Sequence, residues 1–195
     1  MWPWEHLAFG YLLLSVPHRA LTRRPPGDRA VLALVVGTQF PDLVDKPLAW
    51  SLGVLPSGTS LAHSAFVAVP VVVLVLVVAR RTGWADAGVG FAVGYLSHLV
   101  GDVLYPVMIG RAPGYGAVLW PLVGTAPSES VGLWTRFVDL FGNLLVYLAT
   151  PAGVFYLVLE AALLGGALAV WLYDGAPGVG ALWSSLGRPP TTDDP

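Results

Sequence analysis

His98 and Asp102 stand at i and i+4 in "GYLSHLVGDVLYP" (94–106), a run that is otherwise mostly apolar. On a helix this spacing puts both side chains on one face, about a turn apart. An imidazole and a carboxylate so placed can clamp one metal ion or bridge two. Asp42 and Asp45, in "PDLVDKP" (41–47), repeat the device at i and i+3. His63 in "LAHSAF" (61–66) and His6 in "WPWEH" (2–6) open two further apolar stretches. Ionised carboxylates in an apolar medium are costly unless paired or metal-bound. Lys46 is the one cation near them in sequence, too few for three aspartates. A divalent cation would neutralise them. Mixed imidazole and carboxylate ligands suit zinc foremost, with manganese or iron as alternatives. The chain has no cysteine, so thiolate sites and disulfides are excluded.

Each residue also has a plainer reading. His98 can hydrogen-bond across helices, Asp102 can cap a helix, and Asp42 can sit in a turn after Pro41. Asp45 can pair with Lys46, His63 can lie at an interface, and His6 can be exposed. Those readings need six unrelated accidents, whereas one shared metal site explains all six. Glu160 reads as a packing or proton-sharing residue rather than a ligand.

The elements that must position these groups are apolar. Of 195 residues, 55% are hydrophobic and only 11% charged, and the mean hydropathy is +0.69. A soluble domain carries about a quarter charged residues. The expected fold is therefore all-α, a polytopic membrane helical bundle with about four to five transmembrane helices. The net charge of −2 argues against nucleic acid as a partner. The expected partners are the lipid bilayer and a lipid-like substrate.

Apolar segments run over 7–16, 30–40 (short, extending towards Trp50), 61–79, 85–109 and 152–172, with an amphipathic stretch over 131–150. Gly90 and Gly94 form a GxxxG with Ser97 and Gly101 nearby, a pattern that lets helices approach closely. Residues 1–175 read as one membrane-embedded domain, and 176–195 as a polar, disordered tail. Arg19, Arg23, Arg24 and Arg29 occupy the first loop, and Arg80 and Arg81 the third. The positive-inside rule makes both cytoplasmic. This multi-pass placement in the cell membrane brings all six candidate ligands to a similar depth near the outer face. The arginines alone set this orientation.

These blocks resemble the YdjM-like family of membrane-bound metal-dependent hydrolases. The likeness rests on His6, "FPDLVDKP" (40–47), "LAHSAF", "GYLSHLVGD" (94–102) and "LWP" (119–121), and reaches to about Pro121. "GYLSHLVGD" is its most specific part. Two departures stand out. The family's "PDxDH" is lengthened by one residue, with Lys46 in the histidine's place. Its "HRGxTHS" becomes "GTSLAHS", so Gly58 and Thr59 replace a histidine and an arginine. The resemblance implies a hydrolase but carries no substrate over.

The expected activity is metal-assisted hydrolysis of a lipid-like or membrane-proximal ester or phosphoester. His6, Asp42, Asp45, His63, His98 and Asp102 are the expected ligands, with Asp45 and Asp42 also in catalytic roles. Ser64 lacks a base if the histidines hold metal. A transporter with an intramembrane His/Asp site and a non-catalytic, metal-stabilised scaffold are the alternatives.

Overall fold

The computed structural model describes residues 1–186. In chain order these form α1 (Pro3–Thr22), α2 (Asp28–Lys46), a π-helical turn (Pro47–Ser51), α3 (Ala65–Arg81), α4 (Ala85–Met108), a short α5 (Tyr115–Val118), α6 (Leu133–Leu148), α7 (Pro151–Tyr173) and α8 (Val179–Leu186). The described residues contain no strand, so the chain is an all-helical bundle.

Local chemistry accounts for the helix starts. Pro3 occupies a first-turn position of α1, where its missing N–H costs nothing. Glu5 then accepts the Trp2 backbone N–H at 2.6 Å. Ser64 caps α3 by accepting the Phe66 N–H at 3.2 Å, and Thr150 caps α7 by accepting that of Gly153 at 3.0 Å. Pro47 opens the π-helical turn directly after α2, a departure from α geometry that is frequent at functional sites.

α2 and α4 run side by side in the same direction and make the tightest contact. A Cβ on Gly90 would lie 2.0 Å from the Ala30 carbonyl oxygen, and one on Gly94 2.5 Å from that of Leu34. The GxxxG pair is therefore where two backbones meet. α1 and α3 flank α4 antiparallel to it, with Gly10 against Ser97 and Ala79 against Gly88. Tyr11, Leu14, Ala30, Val31 and Leu34 form one buried cluster, and Ala68, Val72, Ala92, Tyr95 and Leu99 another. α7 joins α1 in parallel: Tyr156 donates to Glu5 near one end, and Tyr11, Ser15 and Arg19 donate to Asp174 at the other.

The exterior is apolar. Val69, Val73 and Leu74 of α3 and Phe155, Val158 and Leu172 of α7 are all more than half exposed. α4 and α7 are long and apolar enough to cross a membrane, whereas α3 has 17 residues. The stretch expected to be amphipathic over 131–150 is α6, which buries none of its residues. Val179–Leu186, inside the expected tail, instead forms α8, next to a bond from the Gly178 N–H to Asp28. The rest of that tail, 187–195, lies outside the described residues.

Candidate metal centre

All six candidate ligands meet at one end of the bundle. His6 comes from the first turns of α1, Asp42 and Asp45 from the end of α2, His63 from the loop before α3, and His98 and Asp102 from the second half of α4. His6, Asp45, His63 and His98 are each at most 1% exposed. The arginines of the first and third loops lie at the opposite end, where Arg19 binds Asp174.

The imidazoles of His63 and His98 face each other, Nε2 to Nε2, at 3.1 Å. The other nitrogen of each ring is already committed. His98 Nδ1 lies 2.6 Å from the Thr38 carbonyl oxygen, which can only accept, so Nδ1 carries the proton. His63 Nδ1 lies 2.8 Å from Asp45 Oδ2 and donates to it. In the neutral rings both facing Nε2 atoms therefore present lone pairs. Asp102 Oδ2 adds its charge 3.4 Å from each of them, and Asp42 Oδ1 stands 3.5 Å from His63 Nε2 and 3.7 Å from His98 Nε2.

His6 completes the ring of donors. Its Nε2 lies 3.2 Å from Asp102 Oδ1, and its ring stacks on His98 with centroids 3.6 Å apart. Its Nδ1 is buried and has no hydrogen-bond partner. The amino nitrogen of Met1 also contacts Asp102 Oδ1 at 2.9 Å. Two triads thus have ligand atoms close enough to share an ion: His6, His98 and Asp102, and Asp42, His63 and His98. These buried groups can hold a metal. Imidazole nitrogens and carboxylate oxygens form the borderline donor set that zinc, manganese or iron accepts.

Asp45 sits differently from the other five. Its Oδ1 accepts the Ala62 N–H at 2.8 Å, and its Oδ2 accepts from Ser60 N at 2.8 Å, His63 N at 3.3 Å and the His63 ring. Both oxygens are taken up by the loop that carries His63. Asp45 therefore stands behind a donor rather than among the donors, as second carboxylates commonly do behind metal-binding histidines. Lys46, one turn after Asp42, pairs with Asp42 Oδ2. Ser64 is spent on capping α3 and on donating to the Trp120 carbonyl, which pins the loop after α5 against the site. Glu160 accepts from the Trp4 indole at 2.7 Å and lies away from the cluster. Thr38 gave no sequence signal, because it acts through a backbone carbonyl brought to His98 only by the α2–α4 packing.

A bundle of apolar-faced helices with buried histidines and aspartates at one end is the construction of an intramembrane polar site. The model of the YdjM inner membrane protein family matches residues 1–181, and the chain belongs to that family. It is accordingly a membrane protein. No curated protein and no solved structure matches it.

Proposed function

We propose that the chain is a membrane-bound metal-dependent hydrolase acting on an ester or phosphoester at the membrane surface. The observation that carries this reading is the His63–His98 pair, whose lone pairs converge on two carboxylates in a buried site. A divalent cation in that space would accept the lone pairs and offset the carboxylate charge. His6, His63, His98, Asp42 and Asp102 would hold a divalent ion, zinc foremost. Such an ion supplies Lewis acidity and lowers the pKa of bound water towards about 7.

The chain's own residues do the rest. Asp45 and the Thr38 carbonyl fix the tautomer and tilt of His63 and His98. Lys46 offsets the charge of Asp42. Asp42 borders two cavities; its Oδ2 is paired with Lys46, and it would ligate the ion through Oδ1, while Asp45 is committed to its loop. Glycine-rich walls at 114, 116 and 124 leave room for a substrate beside Asp102.

Among the described residues, the buried carboxylates and histidines gather at the two ends of the bundle, with Asp174 alone at the far end. That favours a localised site over a conducting route. The test is metal analysis of protein purified without chelator, followed by turnover of a lipid extract by wild type and Asp102→Asn. Stoichiometric metal, and turnover lost in the variant, supports the reading. A metal-free preparation, or unchanged turnover, ends it.

A further inference from the structure

A cleft of about 890 Å³ opens beside the metal centre between the end of α2, the π-helical turn and α6. That is the size of a small-molecule site. Its walls are largely aromatic and aliphatic, with Trp50, Trp134, Phe137 and Leu144 among them. A purely apolar groove facing lipid would say little, but this one also contains charges. Asp42 and Lys46 lie on its inner side and Arg111 also lines it. Arg111 has no ion-pair partner among the described residues. Lys46 reaches both Asp42 and the Trp50 ring, 5.5 Å from its centroid.

A second cavity of about 430 Å³ shares Asp42, Lys46, Trp50 and Tyr105 with the first and adds Asp102 and three glycines. The two metal-facing carboxylates therefore sit where a long apolar space meets a shorter, more polar one. Lys46 borders both cavities, and Arg111 lines the apolar one.

From this juxtaposition we infer that the substrate is a phosphate-bearing amphiphile. Its alkyl chain lies in the aromatic cleft, its phosphate is held by Lys46 and Arg111, and its polar remainder lies in the glycine-lined cavity. Arginine offers a planar fork and lysine a compact charge, a pair suited to the several oxygens of one phosphate. As a statement about substrate this rests on the hydrolase reading. As a statement about binding it stands by itself.

The experiment is equilibrium dialysis of dodecylphosphonate, whose C–P bond is not hydrolysed, against the full chain in zwitterionic lipid nanodiscs, with empty discs subtracted. Metal content is measured on the same samples. The expected result is saturable binding of one molecule per chain. Inorganic phosphate and dodecyltrimethylammonium should bind at least tenfold more weakly. Arg111→Gln, at an exposed position, and Leu144→Trp, which fills the cleft, should each weaken binding about tenfold while metal content stays the same. Equal binding by both variants, or by either comparator, overturns the inference. Binding with this pattern to a chain that holds no metal supports the amphiphile site and defeats the hydrolase. A metal-loaded chain that ignores dodecylphosphonate does the reverse.

Discussion

Asp45 holds His63 at both of the histidine's backbone-proximal handles: Oδ2 takes the ring Nδ1 at 2.8 Å and the backbone N–H at 3.3 Å. The same carboxylate takes the Ser60 and Ala62 amides. One side chain at the end of α2 thus orders a loop and aims an imidazole. Removing a carboxylate behind a metal-bound histidine usually weakens metal binding 10–100-fold. Asp45→Asn is expected to lower metal affinity by about that factor yet to reach full stoichiometry at high metal concentration. His98→Ala combined with Asp102→Ala should hold no metal at any concentration while remaining in the membrane. Titration of chelated protein with Zn²⁺ checks both. Complete loss in Asp45→Asn would make Asp45 a ligand.

The α2–α4 contact sets the spacing on which the centre depends, because Thr38 and Asp42 reach His98 across it. At Gly90 a Cβ has a backbone oxygen 2.0 Å away, whereas at Gly165, within α7, nothing lies within 4 Å. Gly90→Ala must separate the helices and is expected to cost about 1–3 kcal/mol. Gly165→Ala is expected to be neutral or to stabilise by about 0.5–1 kcal/mol through its helix propensity. Unfolding in detergent compares them. Equal midpoints would mean that the helices do not approach this closely.

Much of this was legible in the sequence, and the reason is periodicity. His98 and Asp102 are one turn apart, so any helix there puts them together, and the alternation of spans, oriented by the arginines, leads one to expect His6, Asp42, Asp45, His63, His98 and Asp102 at one end of the bundle. The GxxxG likewise announces a close approach. What was not legible depends on contacts between distant segments. Asp45 stands among ligand-type residues by spacing, and only the loop folding back, with Ser60, Ala62 and His63 presenting amides, turns it into an anchor. Glu5 and Tyr156 meet across the α1–α7 interface, 151 residues apart in sequence, without any local mark. α8 was missed because the Gly/Pro-rich start of the tail reads as a terminator, whereas its Gly178 N–H is secured by Asp28 at 2.7 Å.

At the opposite end, Asp174 closes α7 onto α1. Its carboxylate is buried. Burial by itself would raise its pKa, but the hydrogen bonds from Ser15, Tyr11 and Arg19 outweigh it and hold the group below its ordinary value. The unfolded chain therefore binds this proton first. The stabilisation is complete above the ordinary aspartate value near 4 and is lost as the pH falls through the depressed native value. Asp174→Asn should lower stability at pH 7 by about 1.5–3 kcal/mol, the range for hydrogen bonds to a charged group. It should also flatten the acid limb of the stability profile. Thermal unfolding between pH 7 and pH 3 measures both effects, and an unchanged acid limb would remove Asp174 from that role.

The side of the membrane that the candidate centre faces decides which molecules can reach it. The arginine-bearing loops, around Arg24 and Arg81, lie at one end of the bundle, and the metal centre with the loops before α3 and after α4 lies at the other. If the arginines are cytoplasmic, the centre opens outward. The absence of cysteine makes the test clean, because a single introduced thiol is the only one present. Arg24→Cys and Arg81→Cys in intact cells should resist a membrane-impermeant maleimide until the membrane is permeabilised. Gly110→Cys and Glu129→Cys, at exposed positions between α4 and α6, should label at once. Labelling of Arg81→Cys in sealed cells, with protection of Glu129→Cys, would invert the topology and place the candidate centre on the cytoplasmic face.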